Sequence, residues 1–213
     1  MSIIDRVRGA AYCNPPTLEN TYALAHACVA GCVEGSFIEC GVAAGAQIGI
    51  MADVALKEAR GREVHLFDSF CGIPEAGPQD DVQPGIGACL NGEGRLVSSG
   101  VTVHGLASVQ ANMRAWKVAN ANLIYHEGWF QDTIAPAAAT LKKIALLRLD
   151  GDLYESTLIP LQHFWPKLVS GGFLIIDDYA LTGCRRAVTE YFGREIEVTP
   201  IVGGGGPVWL QKT

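Results

Sequence analysis

Apolar positions along this chain follow two periods in turn. Within 17–33 they alternate with polar ones at helical spacing, from Leu18 to Val33, after a Pro15-Pro16 stop. Residues 35–41 read as a short strand ending at a glycine. Residues 43–60, rich in Ala, Ile, Met and Leu, read as a helix stopped by Gly61. A strand follows at 63–68. Residues 71–99 break the rhythm with Pro74, Pro78, Pro84 and many glycines, and predict a long mobile loop, a candidate lid. Beyond it the pattern predicts a helix over 106–116, a strand over 122–128 and a short helix near 134–141. It then predicts a nearly all-apolar strand over 144–150, a helix over 156–168 with Pro166 near its end, a strand over 173–177 and a helix over 183–194. The tail reads as two strands, 197–202 and 207–212, joined by Gly203-Gly204-Gly205-Gly206.

Repeated βαβ units predict an α/β fold: a doubly wound, mostly parallel sheet with helices on both faces. The tail adds an antiparallel hairpin, as in the Rossmann-like seven-stranded sheet of class I methyltransferases. The 213 residues suit one domain, with 1–34 as an N-terminal helical segment. The all-apolar run at 144–150 fits the buried centre of a parallel sheet.

Composition narrows the partners. A net charge of -6 argues against a nucleic-acid surface, and the pairs Lys142-Lys143 and Arg185-Arg186 read as solvated turns. No apolar run is long enough to span a membrane, and Met1 to Arg6 lacks the regions of a signal peptide. Seven cysteines, an odd number without a CxxC, read as free thiols in a reducing cytoplasm; Cys28 and Cys32 are expected to be buried.

The chemistry gathers at strand ends, where ligands bind in such sheets. Asp150 and Asp152 end one apolar run, and Asp177 and Asp178 end the next. Residues two apart on an extended segment point to the same side, and neighbouring strands lie about 5 Å apart. Four carboxylates so gathered repel one another unless a positive group joins them, and a divalent metal is the simplest candidate. Helix capping accounts more readily for one of the four, Asp152, than for all of them.

A second cluster faces a nucleotide-like ligand. Glu39-Cys40-Gly41-Val42-Ala43-Ala44-Gly45 sits at a strand-to-helix turn, where glycines admit close approach and the helix start offers free N–H groups. A dinucleotide fingerprint would need glycines at Ala43 and Ala46, so that pattern fails. The run E-x-G-x-x-x-G resembles instead the first motif of S-adenosylmethionine enzymes. Asp68, 27 residues after Gly41, ends the next strand and can accept from ribose hydroxyls. Gly128 and Trp129 end the third strand, where an adenine would lie. Ser108, near a helix start, completes the cofactor-facing set.

Five segments together resemble the macrocin O-methyltransferase (TylF-like) family. They are Phe37-Ile38-Glu39-Cys40-Gly41-Val42, Phe67-Asp68-Ser69-Phe70-Cys71-Gly72-Ile73-Pro74, Gly128-Trp129-Phe130-Gln131-Asp132-Thr133, Leu149-Asp150-Gly151-Asp152-Leu153-Tyr154-Glu155-Ser156-Thr157 and Gly171-Gly172-Phe173-Leu174-Ile175-Ile176-Asp177-Asp178-Tyr179. The resemblance implies an enzyme that carries a methyl group from S-adenosylmethionine to a sugar hydroxyl with magnesium; manganese fits the same ligands. It implies Asp150, Asp177 and Asp178 as metal ligands and Asp152 as general base. Glu39, Gly41, Asp68, Ser69, Gly128 and Trp129 would line the cofactor site, with Asp150 at its junction with the metal. His104 and His126 are rival bases.

The chain departs from the family at Val42-Ala43-Ala44, where a Trp-Arg pair is usual, in a shorter segment before Glu39, and in the glycine run. These departures leave the acceptor and the choice between monomer and homodimer open. Two other readings compete: a catechol or vicinal-diol O-methyltransferase, and a catalytically silent methyltransferase-like binding module.

Overall fold

The computed structural model describes residues 1–80 and 96–213. A short helix α1 (Ile3–Val7) is closed by a capping box between Ser2 and Asp5. Helix α2 spans Pro15–Ala30. The expected proline stop is therefore a start: both prolines occupy the first turn, where a missing N–H costs nothing. The chain then runs β1 (Ser36–Cys40), α3 (Ala46–Glu58), β2 (Glu63–Asp68), α4 (Leu106–Ala115), β3 (Asn122–Glu127) and α5 (Phe130–Thr140). It continues through β4 (Ile144–Leu149), α6 (Tyr154–Phe164), β5 (Leu168–Ile176), α7 (Thr182–Phe192), β6 (Thr199–Pro200) and β7 (Val208–Gln211).

The seven strands form one sheet in the order β3-β2-β1-β4-β5-β7-β6. The first five are parallel to their neighbours, and β7 runs antiparallel to β5 and β6. This is the doubly wound sheet with a closing hairpin that the pattern predicts, though β6 is only two residues long. Strand order reverses between β1 and β4, which places a crevice beyond their carboxyl ends. One core packs on each face. Leu18, Ile48, Met51 and Met113 lie on one side; Phe67, Ile134, Leu161 and Phe164 lie on the other.

Several boundaries differ from the sequence reading, three of them for identifiable reasons. Strand β5 begins at Leu168, five residues before the expected start, because Gly171-Gly172 lies inside it. The pairing with β4 shifts register there, and a Cβ at Gly172 would sit 2.8 Å from the Ala145 carbonyl. Helix α5 begins at Phe130 with no side-chain cap to announce it. Helix α6 begins at Tyr154, and its cap is remote: Asp80 Oδ1 accepts from the Tyr154 N–H at 2.7 Å. The thiols are free as expected among the described residues, but Cys32 is exposed. It follows the helix end at Gly31 in a left-handed turn, outside the packed face.

The candidate lid falls largely on 81–95, outside the described residues. Its described ends are joined by an antiparallel bridge between Pro74 and Ser98 and by the Ser99 N–H donating to the Ile73 carbonyl at 2.9 Å.

Candidate active site

The turn after β1 sets the geometry of the crevice. Gly41 has φ +89, and a Cβ there would fall 1.7 Å from the Asp150 carbonyl oxygen, so only glycine lets β1 and the β4 loop approach so closely. Asp68, at the end of β2, ties this turn down. Its Oδ2 accepts from the N–H groups of Val42 at 2.7 Å and Ala43 at 3.2 Å, and its Oδ1 from Phe70 at 2.7 Å. Burial pushes its carboxyl up and these three bonds pull it back, leaving it above the ordinary value.

A cavity of about 260 Å³ opens over this turn, bordered by Glu39, Gly41, Asp68, Trp129 and Asp150. Ser69 also borders it, with its hydroxyl donating to the Gly72 carbonyl. Gly128 and Ser108 do not. Gly128 donates its N–H to the Asp68 carbonyl from behind, and Ser108 is exposed on the first turn of α4. A wider cleft of about 660 Å³ lies next to the first. Their shared lining includes Asp152, Leu153, Asp177 and Asp178 together with Ala11, Tyr12, Cys13 and Asp80, and the second is walled by Ala180 and Gly204-Gly205-Gly206.

The four aspartates converge as their spacing predicts. One carboxylate oxygen each from Asp150, Asp177 and Asp178 lies within 4.8 Å of the others. The Asp152 N–H donates to Asp178 Oδ2 at 2.8 Å, which fixes the two loops against each other. Asp152 sits at φ +63, a left-handed conformation that Asp tolerates better than most residues. Burial, then the charge of Asp177, pushes the Asp152 carboxyl up to about 6. Burial with the charges of Asp152 and Asp177 pushes Asp178 up to about 8. Asp150 is held well above its ordinary value by burial and by Asp177. Hard oxygen donors this close, with raised proton affinity, fit a divalent cation.

One residue that the sequence reading passed over lies beneath them. Arg148, on β4, is fully buried. Its Nε donates to Glu39 Oε1 at 3.1 Å and its Nη2 to Asp150 Oδ2 at 2.9 Å, and Nη2 also pairs with Asp177 Oδ1. So the positive group that four carboxylates call for is supplied in part by the protein itself. Desolvation acts against the guanidinium's charge, but the surrounding carboxylates outweigh it and raise its pKa. The signal was in the sequence: a lone charge within an otherwise apolar strand needs buried partners. Glu39 is likewise buried, and its Oε2 has no partner among the described residues.

Neither rival histidine borders the cavities. His126 stacks face to face on Phe67 at 3.9 Å and meets His65 at 3.0 Å; burial and the charge of His65 lower it to about 4. His104 meets the Tyr12 hydroxyl at 2.7 Å.

The raised aspartates carry a stability consequence. Asp152 and Asp178 start near 3.8 unfolded and reach about 6 and about 8 when folded. Between those values the folded state binds more protons, so stability falls as pH rises. In EDTA, the melting temperature is expected to drop from pH 5 to pH 8, and Asp178→Asn should flatten the part above pH 6. An unchanged slope in that variant would mean that Asp178 is not held among like charges.

A family model described as Macrocin-O-methyltransferase (TylF) matches residues 15–202. The 8-demethyl-8-(2,3-dimethoxy-alpha-L-rhamnosyl)-tetracenomycin-C 4'-O-methyltransferase of Streptomyces olivaceus is 37% identical over 196 residues, covering 90% of this chain and 72% of that protein. Mycinamicin III 3''-O-methyltransferase of Micromonospora griseorubida is 37% identical over 167 residues, covering 76% of this chain and 62% of that protein. This chain thus spans under two thirds of that second relative. The solved structure of the O-methyltransferase NovP superposes with a TM-score of 0.78 at 31% identity, covering 94% of this chain and 81% of that one. An O-methyltransferase from Bacillus cereus in complex with SAH shares the fold at a TM-score of 0.58 and 9% identity, over 100% of this chain and 91% of that one.

Proposed function

The chain belongs to the macrocin O-methyltransferase (TylF) family, and we propose from that premise that it methylates a sugar hydroxyl of a glycoside. The donor in this reading is S-adenosylmethionine, and a divalent metal assists. The observation that carries the proposal is the junction of two cavities at Asp152, Asp177 and Asp178. The narrower cavity, beside the glycine turn, suits the donor, and the wider one leaves room for a glycoside. The names of the relatives, which act on rhamnosyl and mycinamicin substrates, support a sugar acceptor.

Asp150, Asp177 and Asp178 would hold the cation, magnesium or manganese, which in such a site lowers the pKa of a hydroxyl and fixes its orientation. The chain's own residues do the rest. Asp68 keeps the turn of Val42 and Ala43 open beneath the donor. Glu39 and Trp129 border the same cavity. Asp152, at the junction, accepts the hydroxyl proton as the oxygen attacks the methyl carbon and the carbon–sulfur bond breaks. Products are the methyl ether, the demethylated thioether and a protonated Asp152. Holding donor and acceptor in line across that junction supplies much of the remaining rate.

The test is methyl transfer from labelled S-adenosylmethionine to a panel of deoxyhexose glycosides and catechols, followed by mass spectrometry. Methylated glycoside is the expected product. Methylation of catechols alone would replace the acceptor class. Failure to bind the donor would leave a silent binding module.

A further inference from the structure

Arg148 has more to do than neutralise charge. Strand register places it directly opposite Glu39 on β1, and Asp150 lies two residues further along the chain, just past the end of β4. Its guanidinium therefore reaches the cofactor side and the metal side at once: Nε holds Glu39, while Nη2 holds Asp150 and Asp177. Arg148 Nη1 and Glu39 Oε2 are both buried and without a partner among the described residues, and both residues border the donor cavity. Stability does not explain the arrangement, because well-packed apolar residues commonly match or exceed a buried ion cluster. Building Arg148 into an otherwise apolar strand makes sense if its planar fork fixes how the three carboxylates are presented.

We propose that Arg148 is a positioning residue that joins the cofactor-facing Glu39 and the metal-facing Asp150 and Asp177 into one frame, so that a change on either side is felt on the other. The inference rests on the function proposed above. Moving Glu39 frees one arm of the guanidinium, which turns more fully onto the aspartates and competes with a cation for their oxygens. A lysine keeps the charge but offers one compact ammonium in place of the fork, and cannot hold all three carboxylates in the same relation.

The experiment is a double-mutant cycle read by magnesium titration calorimetry in the absence of donor, on wild type, Glu39→Gln, Arg148→Lys and the double variant. Glu39 is not among the metal-facing carboxylates, yet Glu39→Gln is expected to weaken magnesium binding about fivefold, the low end of typical coupling between sites. In the Arg148→Lys background the same change should have no effect. Equal weakening in both backgrounds would mean that only the through-space loss of charge matters, and would overturn the proposal. So would an unchanged magnesium affinity in Glu39→Gln. A second measurement covers the case in which Arg148→Lys does not fold. The Nε–H NMR resonance of Arg148 in wild type, assigned by its displacement in Glu39→Gln, should move with magnesium alone and with S-adenosylhomocysteine alone. Movement with only one of the two would sink the idea. A wild type that binds neither ligand would overturn the proposed function along with this inference, whereas binding of both without coupling would remove the inference alone.

Discussion

Replacing Asp152 by Asn is expected to lower kcat by about 10²–10⁴-fold, the usual contribution of a positioned base, while donor affinity stays unchanged. The substitution is clean for structural reasons. Asn tolerates the left-handed conformation that Asp152 adopts at φ +63. The hydrogen bond from this residue to Asp178 leaves through the backbone N–H, so it survives. What disappears is the carboxylate, which burial and Asp177 poise at about 6, ionised at neutral pH yet basic enough to take a proton. The rival bases are poorly placed. His126 is stacked on Phe67, meets His65 at 3.0 Å and is held near 4, and it borders neither cavity. Asp178 is nearer, and the same assay on Asp178→Asn separates the two: a base is lost in kcat with metal affinity kept, a ligand in both. Steady-state rates with calorimetry of S-adenosylmethionine make the check. Near wild-type turnover in Asp152→Asn would move the base elsewhere.

The parts of this site that were legible in the sequence are those governed by strand ends. A run such as Leu149-Asp150-Gly151-Asp152 fixes where its carboxylates emerge, because the aspartates directly follow the last apolar residue of the strand. Two such runs on neighbouring strands bring Asp150, Asp177 and Asp178 within 4.8 Å. The doubly wound, mostly parallel sheet followed from the βαβ alternation, while its strand order did not. What stayed hidden depends on partners distant in sequence. Arg148 draws no notice in a nearly all-apolar strand, and only the register shows Glu39 opposite it. Asp80 caps α6 from 74 positions away, so no local pattern could announce that helix start. Asp68, expected to face a ribose, does border the donor cavity; what the sequence did not announce is that its oxygens accept three backbone N–H groups of the surrounding turns, a role that depends on how closely β1 and β2 lie. The Gly171-Gly172 pair read as a boundary because glycine ends strands more often than it kinks them, whereas here it lets β5 press against the Ala145 carbonyl.

The same strand ends fix the effect of removing a metal-facing carboxylate. In Asp177→Ala, magnesium affinity is expected to fall by more than the about 10–100-fold typical of losing an outer-shell partner, because a direct oxygen donor goes. The change has a second effect. Arg148 loses one of its three acceptors and is left with Glu39 and Asp150, so its charge weighs more heavily on Asp150. Both effects disfavour a cation. Donor binding should persist, since Asp177 lies at the junction with the wider cleft and the glycine turn is held by Asp68. Turnover should therefore vanish in Asp177→Ala while S-adenosylmethionine still binds, and EDTA should reproduce that loss in wild type, reversibly on adding magnesium. Calorimetry of both ligands on both proteins, with rates in EDTA, makes the check. Wild-type turnover that survives EDTA would leave the aspartates as a proton-accepting cluster steadied by Arg148 alone, and the chemistry would then rest on Asp152 without a metal.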